Sequence, residues 1–314
     1  MRKLIYYLFL VSILPAFLIS CSERKSEAVT FGIISDVHED LQDDAIFRLQ
    51  TFIDDATQKQ PDFIIQLGDL CHSTGADKIL PIWNSYEGDK YHVFGNHDMD
   101  NASKETMIKK YNMPAGHYYF DNGGVRFLVI DCAFTRKDGK LVDYNNGNYF
   151  VRQEDRDLIS EDQLVWMKDV INDSPYPCVI FSHQAFDEVG GSVPNRADFR
   201  AVVKELNKEE KKVIANICGH HHYDAHSVID GVDYIHMNSS SYFWVEGQAK
   251  YSKGNMAEYK DPVYAFITID PSERTIVIKG IQSEFKEPAP VAADFSPEEF
   301  QYINAGITDR TIHY

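Results

Sequence analysis

Apolar residues along the chain fall into two rhythms. Short unbroken runs at 29–34, 63–67, 91–94, 178–181 and 213–217 fit buried strands, and between them longer stretches space their apolar residues at helical intervals. Ile46, Leu49, Phe52, Ile53 and Ala56 mark one helix face, ended near Pro61. Ser160 with Gln163 has the pattern of a capping box ahead of Leu164, Val165, Met167, Val170 and Ile171, and Pro175 and Pro177 close that helix. A further helix is expected over 198–206. Strands alternating with helices predict parallel βαβ units. Tyr118-Tyr119-Phe120 and 125–130, joined through Asp121-Asn122-Gly123-Gly124, read as a hairpin. Residues 133–157 are polar and rich in Asn, Asp, Gly and Tyr, which fits a long surface insertion near a site. The last third is more β-like, with strands expected at 225–229, 233–236, 264–269 and 275–278. The expected architecture is one α/β domain over 29–285, two β-sheets facing each other with helices outside. Residues 286–314 are expected to pack on it as a tail.

The first 20 residues differ. Arg2 and Lys3 precede an apolar run at 4–19, too short for a membrane-spanning helix of roughly 20 residues. A basic start and a short apolar core read as a secretory signal. The run also admits an ordinary cleaved signal or an uncleaved anchor. Its end, Leu18-Ile19-Ser20-Cys21, resembles the bacterial lipobox. That resemblance implies a signal peptide over 1–20, a lipidated Cys21 as mature N-terminus, and a polar tether over 21–28. The expected location is the bacterial cell envelope, on the outer membrane or the periplasmic face, with membrane contact through the lipid anchor only. The other cysteines, Cys71, Cys132, Cys178 and Cys218, form no CxxC pair and read as free buried thiols rather than a zinc site.

The 314 residues carry 31 Lys and Arg against 48 Asp and Glu, a net charge of -17. Removal of the signal, with its two cations, would bring this to -19. Such a field repels phosphate backbones and argues against nucleic-acid binding. It also repels a small anionic substrate unless a local cation inverts it.

Five short segments supply the ligands for such a cation. Asp36-Val37-His38, Gly68-Asp69, Gly95-Asn96-His97-Asp98, Ser182-His183 and Gly219-His220-His221-His222 each follow directly on an apolar strand candidate. In open α/β sheets the carboxyl ends of strands form the ligand crevice. Carboxylates, imidazoles and an amide carbonyl converging there suit Mn, Fe, Zn or a similar divalent ion. Singly, each piece has a plainer reading: a turn for Gly-Asp, a hydrogen-bonded edge residue for a lone His, a solvated loop for the histidine run.

The ordered set resembles the calcineurin-like metallophosphoesterase family, over about 30–222. The resemblance implies a four-layer α/β/β/α sandwich with a dinuclear metal site at strand C-terminal ends. It implies one ion held by Asp36, His38, Asp69 and His222 and another by Asp69, Asn96, His183 and His220. Asp69 would bridge them, a carboxylate having two anionic oxygens to offer two cations. The pair, Mn, Fe or Zn, would share a hydroxide as nucleophile and render the pocket positive in an acidic protein. His97 would be the general acid to the leaving oxygen, with Asp98 orienting its ring. The implied activity is hydrolysis of a small phosphate ester, diester ahead of monoester or nucleotide monophosphate. A non-catalytic metal-binding scaffold would be marked by loss of a ligand or of His97, and all are present. The position three after Asp69, a tyrosine ligand in purple acid phosphatases, is His72, so a tyrosinate–ferric colour is not expected. Residues placed to wall the substrate pocket are His72, His221, Tyr223 and the 238–244 segment ending at Trp244, with Tyr144, Asn146 and Tyr149 from the insertion.

Overall fold

The computed structural model describes residues 28–72, 74–189, 192–247, 249–251 and 253–314; the expected signal peptide over 1–20, Cys21 and the expected tether as far as residue 27 lie outside the described residues. In chain order the first half holds β1 (Val29–Ile34), α1 (Ala45–Lys59), β2 (Phe63–Gln66), α2 (Ala76–Asn84), β3 (Asp89–His92), α3 (Lys104–Lys110), β4 (Tyr118–Asn122), β5 (Val125–Val129), β6 (Phe134–Lys137) and β7 (Lys140–Asp143). Then follow α4 (Glu161–Asn172), β8 (Cys178–Phe181), α5 (Arg196–Leu206), β9 (Val213–Cys218), β10 (Ala225–Ile229), β11 (Val232–His236), β12 (Tyr242–Trp244), β13 (Met256–Glu258), β14 (Ala265–Asp270), β15 (Thr275–Gly280), α6 (Pro297–Phe300) and β16 (Arg310–His313).

The strands form two six-stranded sheets, ordered β16-β15-β14-β1-β2-β3 and β10-β11-β9-β8-β5-β4. β1, β2 and β3 run parallel, as do β5, β8, β9 and β11; β4, β10 and β14–β16 pair antiparallel. Side chains alternate across a strand, and the alternation sorts the apolar residues between two cores. On β5, Phe127 and Val129 face the opposite sheet, while Leu128 packs outward with Met167 and Ile171 of α4 and Phe199 of α5. Between the sheets, Phe31 and Phe63 of one meet Phe127 and Phe181 of the other, with ring centroids 5.1–5.7 Å apart. Burying each of these rings contributes roughly 1.5–3 kcal/mol. On the far side of the first sheet, Phe52 and Trp83 of α1 and α2 stack at 6.3 Å, and Phe52 packs against Gly32, where a Cβ would fall 3.2 Å from its ring. The result is the expected four-layer sandwich.

Three local expectations need correction. Ile46 turns outward, 41% exposed, and Ala45 and Arg48 complete the buried face of α1 instead. Arg48 tolerates burial because its guanidinium is fully engaged, with Asp44 and with the carbonyls of Ser240, Tyr259 and Asp261. Ser160 caps α4 by accepting from the Gln163 N–H, but the reciprocal half of the box is missing. The Gln163 amide is drawn away to the backbone of Asp131, at 2.8 and 2.7 Å. The 286–314 segment is more than a packed tail, because β16 pairs with β15 and completes the first sheet. Among the described residues no helix is long and apolar enough to cross a membrane.

Candidate metal centre

The five motifs sit where β1, β2, β3, β8 and β9 end, all at one rim of the sandwich. The turns that deliver them are strained. Asp36, His38, Asp69, His220 and His222 all have φ between 51° and 70°, a left-handed conformation that non-glycine residues seldom adopt. The glycines are explained by crowding. A Cβ on Gly95 would fall 2.1 Å from Asp69 Oδ1 and 2.3 Å from its backbone nitrogen, and one on Gly219 would strike Ser35 and Asp36.

Ligand-type atoms converge within 4.8 Å in three groups, of which two are made of the motif ligands, Asp36, His38 and His222, and Asp69, His183 and His220; the third, less buried, is His72, His97 and Asp100. His222 Nε2 lies 3.3 Å from Asp36 Oδ1, and His183 Nε2 lies 3.1 Å from Asp69 Oδ2 and 3.2 Å from His220 Nδ1. The outer nitrogens of two rings are spoken for. His183 Nδ1 donates to the Leu67 carbonyl at 2.7 Å and His222 Nδ1 to the Tyr242 carbonyl at 2.8 Å. Each bond fixes the tautomer that leaves Nε2 as a lone pair facing inward, the arrangement that supports a metal-binding histidine. Asp36 Oδ2 accepts from the Ser35 hydroxyl and the His220 N–H, whereas Oδ1 is buried without a hydrogen-bond partner. Asn96 Oδ1 is buried and unpartnered too. Lone pairs left orphaned inside a protein cost free energy unless a cation takes them. The residues therefore fit two divalent ions.

The ionisation of the groups agrees. Burial opposes charge on Asp36 and Asp69, but the neighbouring histidines outweigh it and hold both carboxyls well below the usual range. Burial above all pushes His38 down to about 3. For His183 burial is overcome by Asp69 and Asp36, which push it up to about 10. Protein alone thus meets the two anions with protonated imidazole, and binding ions there displaces protons.

Asp69 touches both groups through a single oxygen. Oδ2 lies 3.1 Å from His183 Nε2 and 3.9 Å from His38 Nε2, while Oδ1 accepts the His97 N–H at 2.8 Å. The one-oxygen-per-ion bridge expected from the sequence is not what the geometry offers. A second correction concerns Asp98. Its carboxylate does not reach the His97 ring; it is buried, accepting from the Gly95 N–H at 2.7 Å and the Tyr111 hydroxyl at 2.6 Å. Burial, with Asp69 close by, pushes Asp98 up to about 7. It shapes the turn behind Asn96. The partner of His97 is Asp100, whose Oδ2 is 2.9 Å from Nδ1. The His97 ring itself lies outside both ligand groups, 5.5 Å from the His38 ring.

The residues proposed to wall the pocket scatter. His72 lies beside His97 and bridges Asp40 and Asp100, at 3.0 and 2.7 Å. His221 packs against His220, Tyr223 and His236, and burial above all pushes it down to about 3. Tyr223 is committed to packing, stacked between Phe243 and Tyr302. Trp244 is 47% exposed at the end of β12. Asn146 is exposed and bonded to Asn145; Tyr144 and Tyr149 are buried inside the insertion. The 238–244 segment does reach the site, through Tyr242, whose ring packs on His38 and His222; sequence reasoning missed Asp100, although its spacing of three from His97 across a tight turn was a signal.

Residues 29–224 match the family model described as calcineurin-like phosphoesterase. A manganese-dependent ADP-ribose/CDP-alcohol diphosphatase of Oryza sativa subsp. japonica is 24% identical over 189 residues, 48% of this chain and 57% of that protein, so the match spans little more than half of the relative's length. A dimetal phosphatase from Danio rerio superposes with a TM-score of 0.59 at 17% identity, covering 82% of this chain and 98% of that one. GAP50, the anchor in the inner membrane complex of Plasmodium, does so with a TM-score of 0.52 at 14% identity, covering 84% and 87%.

Proposed function

From the premise that the chain belongs to the calcineurin-like phosphoesterase family and is a phosphate-ester hydrolase using two divalent metal ions, we propose that its substrate carries a doubly substituted phosphoryl group, a phosphodiester ahead of a monoester. The ions would be held by Asp36, His38, Asp69 and His222, and by Asp69, Asn96, His183 and His220; the donor set suits Mn, Fe or Zn, and the name of the rice relative favours manganese. When bound, they supply an activated water and neutralise the phosphoryl oxygens. The observation that carries the reading is His97, the imidazole beside the two ligand groups but in neither. Burial opposes charge on its ring, but Asp69 and Asp100 outweigh it and push it up to about 9, so as an imidazolium it bonds Asp100 through Nδ1–H and keeps an Nε2 proton to give to the departing oxygen. As the P–O bond breaks, its electron pair stays on that oxygen and the Nε2 proton joins it.

Charge supports a diester. Among the described residues no Lys or Arg forms an ion pair with any of the seven ligands, and Asp40 and Asp100 stand close by. A monoanionic phosphoryl group needs less compensation than a dianionic one. The lipobox at 18–21 adds the proposal that the enzyme is held at a bacterial membrane surface through Cys21. With saturating Mn, kcat/KM for bis(p-nitrophenyl) phosphate is expected to equal or exceed that for p-nitrophenyl phosphate. A monoester preference on the order of 100-fold, about 2.7 kcal/mol in the transition state, would move the reading to a phosphomonoesterase.

A further inference from the structure

The insertion at 133–157 runs back into the site. Tyr149 is 1% exposed, and its ring stacks on Tyr144 at 4.6 Å and Phe150 at 4.5 Å. Its hydroxyl bonds to Asp100 and lies 3.0 Å from His97 Nδ1. Asp100 gathers three donors: His97 Nδ1 at 2.9 Å, His72 Nε2 at 2.7 Å, and that hydroxyl. Burial opposes its charge, but these donors outweigh burial and hold its carboxyl well below the usual range. Two backbone bonds tie the insertion to the same turn, Gly147 N–H to the Met99 carbonyl at 3.1 Å and Asn146 N–H to the Ala102 carbonyl at 3.0 Å. Tyr144 secures the other end through its hydroxyl, 2.8 Å from Asp157.

We infer that Asp100 and Tyr149 are positioning residues for His97, and that the 133–157 insertion is the brace that holds them there. This rests on the proposed role of His97. A carboxylate can only accept, so the Asp100 contact requires the proton on Nδ1 and sets the ring with Nε2 toward the reacting group. The Tyr149 hydroxyl, fixed by a stacked ring, holds that carboxylate from the other side. Among the described residues no hydrogen bond or ion pair joins Asp100 to a proposed ligand, so Asp100→Asn should misplace a proton donor and leave the metals alone, whereas the Tyr149 hydroxyl also bonds to the Asn96 side chain.

The test uses the full metal-loaded chain and two diesters. One, bis(p-nitrophenyl) phosphate, releases a stable phenolate; the other, 2′,3′-cyclic AMP, releases an alkoxide that needs a proton. His97→Asn is expected to lose roughly 10²–10⁴-fold in kcat on the cyclic nucleotide and under about 10-fold on the aryl ester. Asp100→Asn should follow the same split, with a loss of about 100-fold on the cyclic nucleotide, unchanged KM and two bound ions. Tyr149→Phe, which keeps the stacked ring, should show a smaller loss of the same kind. Combining Asp100→Asn with His97→Asn should cost no more than His97→Asn alone, because one acts through the other. In zinc-loaded protein, the Nδ1–H resonance of His97 should be lost in Asp100→Asn. If His97→Asn distinguishes the esters but Asp100→Asn does not, or if their losses multiply, the inference is overturned while the His97 reading stands. If His97→Asn loses equally on both esters, the His97 reading fails and takes the inference with it.

Discussion

Asp69→Asn is the sharpest test of the metal centre. The substitution keeps size and leaves an amide oxygen able to accept the His97 N–H that now binds Oδ1. What it removes is the anion at Oδ2, the atom lying 3.1 Å from His183 Nε2 and 3.9 Å from His38 Nε2, one ring from each ligand group. In its place an NH₂ would face both cation positions. Unit charges 4 Å apart at an effective dielectric of 20 interact with about 4 kcal/mol, and a divalent ion doubles that. Even if half is recovered by water and rearrangement, the loss for one ion is about 4 kcal/mol, nearly a thousandfold in affinity, and it falls on both ions. Asp36→Asn should cost less in total, because Asp36 is assigned to one ion and Asp69 to both. Protein desalted at fixed free Mn and analysed for metal per chain should hold two ions in the wild type, at most one in Asp36→Asn, and close to none in Asp69→Asn. Activity should fall in the same order. Two tightly held ions in Asp69→Asn, with an intact fold by circular dichroism, would falsify the bridging assignment.

His92 gives a pH prediction away from the metals: it is buried between Trp83 and Tyr111, accepts from Gln66 Nε2 at 3.0 Å, and is pushed down to about 3 by burial above all, with Lys90 adding to it. An unfolded histidine titrates near 6.5, so between those values the unfolded chain binds the extra proton, and stability falls as pH drops below about 6.5, by roughly 1.4 kcal/mol per unit. Urea unfolding of metal-free protein at pH 7, 6 and 5 should therefore show the wild type losing ground to His92→Gln by that slope; a gap constant with pH refutes it. For the anchor, the wild type expressed in a bacterial host should incorporate labelled fatty acid and partition into detergent, and Cys21→Ala should do neither. An unlabelled soluble wild type cleaved elsewhere rules the lipobox out.

What could be read in the chain alone is what local chemistry dictates. Runs of β-branched and aromatic residues bounded by Gly, Asp and Pro placed most strands within a residue or two, and the alternation of β with α implied parallel sheets. The ligand set was legible because its motifs are short and each is pinned to the end of a strand, so parallel strands bring them to one rim whatever the loops between do. Where two distant segments compete for one side chain, only the tertiary structure decided. Gln163 left its cap for Asp131, and Arg48 was accepted into a core because carbonyls from a loop nearly 200 residues away met it there. Asp98, next in sequence to His97, turned instead to Tyr111 and the Gly95 amide, since a 3₁₀ turn sends neighbouring side chains in different directions and brings residue i+3 back to residue i. That geometry gave His97 to Asp100, and the folding of a polar insertion onto the same turn gave Asp100 to Tyr149. A pattern of residue types carries spacing along the chain; which hydrogen-bond acceptor a buried donor reaches depends on what the rest of the fold sets beside it.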